Sequence, residues 1–166
     1  MSSVIKVDQI QTAAGGTPTA GDLGINTTGT VLQVKNNAVN VSVRLGQTTS
    51  TSYVATGYYL DFTPKSVSST LYISLSIGMQ YTSATTSSIN TSIARDGSLI
   101  GTGNYNTFIR DLGSPMYGPL AITMVDTPNT TSTTRYEVYV KSQSGDNVIG
   151  IHEGCYTNIV ITEIAG

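Results

Sequence analysis

The chain predicts an all-β fold: an antiparallel β-sandwich or jelly roll, preceded by an extended N-terminal arm and a small hairpin. Three observations carry that prediction. The first is Thr70 to Met79, TLYISLSIGM, where Leu71, Ile73, Leu75, Ile77 and Met79 alternate with Thr70, Tyr72, Ser74, Ser76 and Gly78. A period of two puts one set on a buried face and the other on an outer face of a strand, whereas a helix scatters both. The second is the recurrence of such segments at short spacing with turn residues between them and no convincing helical period. The third is composition. Charged residues make up 11% of the 166, against about 25% in an ordinary domain. Ser and Thr together supply about a quarter of the chain, a mixture that favours strands and turns over helices.

The elements follow in order. Residues 1–30 open with MSSVIKVDQIQ, whose Val4, Ile5, Val7 and Ile10 form a short apolar pattern. AAGGTPTAGDLGINTTG follows, and its Gly and Pro residues forbid a long helix or strand. Such a segment buries too little to order itself, so its apolar residues are read as attachment points on another protein. Val31, Leu32 and Val34 then lead through Lys35-Asn36-Asn37-Ala38 to Val39, Val41, Val43 and Leu45. This reads as a hairpin with an Asn turn. The polar GQTTSTS at 46–52 is read as a linker. It divides an arm with hairpin, 1–47, from a β-sandwich domain, 48–166.

In the second part Tyr58, Leu60 and Phe62 mark one strand, closed by Pro64. The alternating strand at 70–79 comes next. Asp96-Gly97 is a strong type I′ turn signal that sets Ile93 opposite Ile100. GTGNYNTFIRDLGSPMYGP, 101–119, reads as a long loop. Leu120, Ile122 and Met124 alternate in a further strand. Tyr136, Val138 and Val140 face inward in another, with Arg135, Glu137, Tyr139 and Lys141 outward. Val148, Ile149 and Ile151 begin a short one. NIVITEI, 158–164, is apolar on both faces, which implies a central place in a sheet or a subunit contact.

Composition and motifs also limit function. The net charge is −2, and eight scattered Lys and Arg give no basic patch, so no nucleic-acid partner is expected. No run reaches the length of a membrane-spanning helix, and no secretory leader is visible. A single cysteine rules out an internal disulfide framework. His152, Glu153 and Cys155 invite a metal reading, but zinc needs a further ligand pair and none follows. His152 and Cys155 also lack the spacing of a nucleophile pair, and Cys155 reads as a small buried hydrophobe. Asp61, Asp96, Asp111, Asp126, Asp146, Glu137 and Glu163 stand singly. A glycan hydrolase or lyase would need two of them to meet. No catalytic residue, cofactor or metal ligand is therefore expected, and the chain is read as non-enzymatic. Ten Tyr and no Trp suggest adhesion instead. Tyr72, Tyr81, Tyr105, Tyr117 and Tyr139 fall on polar faces or loops and could stack on sugars.

SVIKVDQIQTAAGGTPTAGDLGIN resembles the N-termini of tail-fibre and other appendage proteins of tailed, especially marine, bacteriophages. The remainder, in IARDGSLIG, YEVYVKS and NIVITEI, is similar in texture to the trimeric heads of such fibres. Those heads often have jelly rolls like tumour necrosis factor or complement C1q. The resemblance implies a virion structural protein, a homotrimer anchored to other virion proteins by its arm. It also implies an exposed head that adheres to host-surface glycan, with no catalytic residues. A capsid-decorating or head-fibre protein fits a chain of this length equally.

Overall fold

The computed structural model describes residues 11, 14–18, 28–82, 88–100, 108–110, 116–143, 145 and 148–166. At 80–82, 88–89, 108–110, 116–117 and 148–149 the description is of the backbone alone. All regular structure in these residues is strand: β1 (Val31–Asn40), β2 (Leu45–Thr48), β3 (Val54–Phe62), β4 (Thr70–Thr82), β5 (Ser88–Arg95), β6 (Ser98–Leu99), β7 (Phe108–Arg110), β8 (Met116–Asp126), β9 (Thr134–Ser142), β10 (Val148–Ile151) and β11 (Tyr156–Ile164). No helix among them is long and apolar enough to cross a membrane.

The strands form two antiparallel sheets with the core between them. Sheet A runs β1-β11-β4-β10-β2, with β8 on the other side of β4; sheet B runs β3-β9-β5, with β6 and β7 beyond β5. The alternating segment is thus the centre of sheet A. Its inward residues Leu71, Ile73, Leu75, Ile77 and Met79 are all buried, and Tyr72, Ser74 and Ser76 are exposed. Each buried side chain of this size contributes roughly 1.5–3 kcal/mol of transfer free energy, an upper estimate. Sheet B answers with Tyr58, Leu60, Phe62, Ile93, Tyr136, Val138 and Val140. The Asp96-Gly97 turn has φ of 46° and 82°. Arg95 lies opposite Ser98, and the Ile100 N–H donates to the Ile93 carbonyl at 3.0 Å. The expected register is the observed one.

The hairpin expected at 31–45 does not form. Residues 35–38 stay extended, and β1 is one ten-residue strand pairing with β11 from Val31/Ile164 to Asn40/Tyr156. Asn tolerates a turn without requiring one, and β11 offers a full-length ladder instead. The side chains on the other face of β1 then reach across to sheet B. Gln33 donates to the Thr63 carbonyl, Lys35 to that of Asp61 and Asn37 to that of Tyr59, each at 2.8 Å. Three alternate residues of one edge strand are thereby stitched to alternate residues at the end of the other edge, Tyr59, Asp61 and Thr63. Tyr58 adds a bond from its hydroxyl to the Asn37 carbonyl, and burial pushes its phenol up to about 12.

The boundary expected at 46–52 is likewise not a boundary in packing. β1 and β2 are strands of sheet A, and Val41 is part of the core. The long loop expected at 101–119 is interrupted by β7 and by the start of β8. Pro119 is accommodated because β8 is an edge strand. In β11, Ile159 and Ile161 are fully buried in the core, while Val160 and Ile164 are half-buried on the outer face. The strand is central, and Ile161 belongs to the fold rather than to a subunit contact.

Candidate functional site

The two ends of sheet A differ. At one pole the chain segments that flank the sandwich meet: the Gly29 N–H donates to the Ala165 carbonyl at 2.8 Å, and the Ala165 N–H to that of Thr30 at 2.9 Å. Beside them Glu163 is fully buried. Its carboxylate accepts from Ser69 Oγ and Gln33 Nε2 at 2.6 Å, and from the backbone N–H of Lys65 at 2.7 Å and of Ser66 at 3.3 Å. Burial pushes this carboxyl up, but the four hydrogen bonds outweigh it and hold it below the usual range. The hub ties β1, β11 and the β3–β4 connection together where the N-terminal segment leaves.

Gly78 lies eight residues along β4 from Thr70 at that pole, about 27 Å away. Here β4 changes partners: β11 pairs with it as far as Ser76, and β10 takes over at Met79. The His152 N–H bridges the change by donating to the Gly78 carbonyl at 2.9 Å. A Cβ on Gly78 would collide with the Cys155 Cβ and Sγ, so only glycine lets the 152–155 turn cross the sheet this closely. The result is a groove of about 370 Å³ lined by Ser76, Ile77, Gly78, Gly118, Pro119, Cys155 and Tyr156. Tyr156 stands on its rim at 68% exposed. Asn158 lies opposite Ser76, and its Oδ1 is buried without a hydrogen-bond donor. Among the described residues no charged side chain lines the groove.

The turn brings His152 and Cys155 together, against the expectation from their spacing, with Nδ1 3.7 Å from Sγ. Cys155 is half-buried over Gly78 rather than in the core. Glu153 is engaged elsewhere, 3.3 Å from Arg44. Among the described residues no three of His, Cys, Asp and Glu gather as a metal site would require. The described carboxylates have structural bonds. Asp61 pairs with Arg135 at 2.8 Å and Asp126 with Arg95 at 3.0 Å. Asp126 also accepts from the Tyr136 hydroxyl at 2.7 Å. Asp96 accepts from the Arg135 N–H and Glu137 from the Gly57 N–H. Asp111 and Asp146 lie outside the described residues.

The five tyrosines singled out for adhesion do not form one surface. Tyr72 is on the outer face of sheet A and Tyr139 on that of sheet B, on opposite sides of the sandwich. Tyr105 lies outside the described residues, as do Val4, Ile5, Val7 and Ile10; for Tyr81 and Tyr117 only the backbone is described. The tyrosine on the groove, Tyr156, was not among the five. The signal that could have found it is Gly78, a glycine inside an otherwise regular strand, which marks a close approach of another segment.

No family model and no curated protein matches the chain. Among solved structures, one titled as the structure of infectious bursal disease virus Gx strain is similar over 81% of this chain and 43% of that one, at 10% identity and a TM-score of 0.39. The matched region is thus under half of that chain, and a likeness at this score carries no argument about function.

Proposed function

We propose that the chain is a non-enzymatic structural protein of a bacteriophage virion, an appendage whose N-terminal arm anchors it to other virion proteins and whose sandwich is a host-adhesive head. The observation that carries this reading is the polarity of the sandwich. The N-terminal segment leaves from one pole, and the open groove lies about 27 Å along the sheet. An arm anchored at the first pole holds the groove away from the particle.

The head acts as a homotrimer in this reading. Across β1, β11, β4 and β8 the outer face of sheet A carries no charged residue: Val34, Asn36 and Ala38; Asn158, Val160, Thr162 and Ile164; Tyr72, Ser74, Ser76 and Gly78; Pro119, Ala121, Thr123 and Val125. Nearest the arm, Val34 (60% exposed), Thr162, Tyr72 (47%) and Val125 (54%) form one cross-strand row. Uncharged faces with exposed large apolar side chains favour association. The row is about 20 Å from Gly78, so contact there leaves the groove open. The trimer number itself rests on the resemblance to fibre heads.

Three experiments test this. Light scattering should give three times 17.4 kDa; a monomer removes the association. Labelling within purified particles should find the protein projecting from the surface. A position flat against the shell favours capsid decoration instead. Deleting residues 1–27 should leave a folded head that no longer joins the particle. A deletion reaching residue 45 removes β1 and tests nothing about anchoring.

A further inference from the structure

We propose that the free edge of β8 in one copy pairs with the free edge of β1 in the next, joining the run β8-β4-β11-β1 of each copy into one closed antiparallel sheet. This rests on the homotrimer reading above and names the strands that make its contact. An unpaired edge is a template for another strand, and most sheets blunt theirs. Among the described residues the other edges are blunted. β2, β6 and β7 have four, two and three residues. Along the β3 edge, the carbonyls of Tyr59, Asp61 and Thr63 already accept from Asn37, Lys35 and Gln33. β8 has eleven residues and β1 ten, and each pairs on one side only, β8 with β4 and β1 with β11.

Two hydrogen bonds show which backbone groups these edges present, because residues of an antiparallel strand turn N–H and C=O to alternate sides. The Gly78 carbonyl accepts from the His152 N–H, on the side of β4 away from β8. Gly78 lies opposite Pro119, so Pro119 is turned to the free edge, where its missing N–H costs no ladder bond. The β4–β8 register is unbroken, so Ala121, Thr123 and Val125 present both backbone groups to that edge. On the other side, the Val41 N–H donates toward β11, to the Cys155 carbonyl. Alternation through the unbroken register from Gln33 to Asn40 leaves Val34, Asn36 and Ala38 turned to the free edge of β1. Both sets are uncharged and stand on the outer face of sheet A. Facing residues of a hydrogen-bonded pair share a face, so the two edges match.

Strand direction selects the partner. β1 and β8 are three antiparallel steps apart and run in opposite senses. Copies rotated about an axis along the strands keep one orientation, so β8 meets the neighbouring β1 antiparallel and every arm leaves at the same pole. Pairing β8 with a second β8 needs a two-fold axis and sends the arms to opposite poles. Cyclic closure leaves neither edge open. It turns the uncharged outer faces of these four strands to the axis and the charged face of sheet B to solvent. The ladder stops before the groove, because Pro119 offers no N–H.

The test places proline on each edge. Thr123→Pro and Asn36→Pro each delete an N–H that no ladder within the chain uses, so the β circular dichroism signal should persist. Each variant alone should fall to a mass near 17.4 kDa in light scattering. Mixed one to one, they should form a complex of two chains and nothing larger: the intact β1 of the Thr123→Pro chain pairs with the intact β8 of the Asn36→Pro chain, and the outer edges stay blocked. In the parent oligomer the Asn36 and Thr123 amides should exchange with deuterium at least about 100-fold more slowly than exposed amides. This measurement decides if a variant fails to fold. An oligomer that survives both substitutions overturns the proposal, as does rapid exchange at both amides. Loss of assembly with Thr123→Pro alone, and no complex on mixing, means that β8 pairs with β8 and overturns it too. A monomeric parent removes the homotrimer reading as well, whereas a trimeric parent with unprotected edge amides leaves that reading and removes only the edge pairing.

Discussion

The outer faces of the two sheets are built from strands of the same inner pattern, yet they are chemically unlike. The outer face of sheet B carries Asp61, Arg135, Glu137 and Lys141. Its charges are satisfied locally: Arg135 pairs with Asp61 and lies 3.7 Å above the Tyr59 ring, and Lys141 lies 4.8 Å above that of Tyr53. The outer face of sheet A has hydroxyls, amides and aliphatic groups and no charge over four strands. The informative point is the contrast itself: charged side chains on one outer face, and none on four strands of the other. A face that meets only water can hold charge at little cost, whereas a face that is covered must pair it. The contrast teaches where contact is expected, and five substitutions bear on it.

The largest effect separates the inner and outer faces of one strand. Ile161 and Thr162 are neighbours in β11, the first fully buried and the second half-buried on the outer face. Ile161→Asp puts an unpaired carboxylate into the core and should cost on the order of 4 kcal/mol or more, enough to abolish soluble folded protein. Thr162→Asp should keep the β circular dichroism signal and reduce assembly in light scattering. If Thr162→Asp assembles like the parent, the outer face of sheet A lies outside the contact.

Gly97→Val comes next. Gly97 has φ +82°, where a β-branched residue is strained by roughly 1–2 kcal/mol. In a domain of this size that corresponds to a fall in melting temperature of roughly 2–8 °C. Because the turn is in sheet B, assembly should be unchanged. An unaltered melting temperature would mean that the turn does not hold the hairpin.

Glu163→Gln acts at the arm pole of sheet A and should cost roughly 1–3 kcal/mol, the value of removing a buried, hydrogen-bonded charge. Its pH dependence has a definite sign. The native carboxyl is held below its usual value, so its contribution is fully present above the unfolded pKa of about 4.3 and is lost as pH falls through the native one. The difference in melting temperature between parent and variant should therefore be constant near neutrality and shrink in acid below about pH 4. A gap that widens in acid contradicts the hub.

Much of this contrast was legible in the sequence, and the exceptions share a cause. Alternation fixes which residues of β4, β8 and β9 face inward, because burial on one side of a strand leaves a period of two that no other arrangement imitates. Asp96-Gly97 sets its own register locally. The Asn36-Asn37 reading failed because the partner that straightens β1 is β11, more than a hundred residues away. The same distance hides the Glu163 hub, whose four donors come from 33, 65, 66 and 69. The groove was hidden for a different reason: it arises where β4 changes partners, and only Gly78 hints at that. Periodicity reports burial, not which strand supplies it.

The smallest expected effect lies on the face of sheet B. Arg135 makes two contacts at once, a two-pronged bond to Asp61 at 2.8 and 3.1 Å and stacking on Tyr59. Both partners are exposed, so water competes for the pair and salt screens it. Asp61 is nonetheless held below the usual carboxylate range by the Arg135 hydrogen bonds. Arg135→Lys preserves the charge but loses the fork and most of the stacking. It should lower the melting temperature by less than Glu163→Gln does, and the difference should narrow from low to high salt without vanishing, because stacking is screened less than the ion pair. Assembly should be untouched in either condition. A variant that disassembles the oligomer would place the contact on sheet B and reverse the comparison between the two faces.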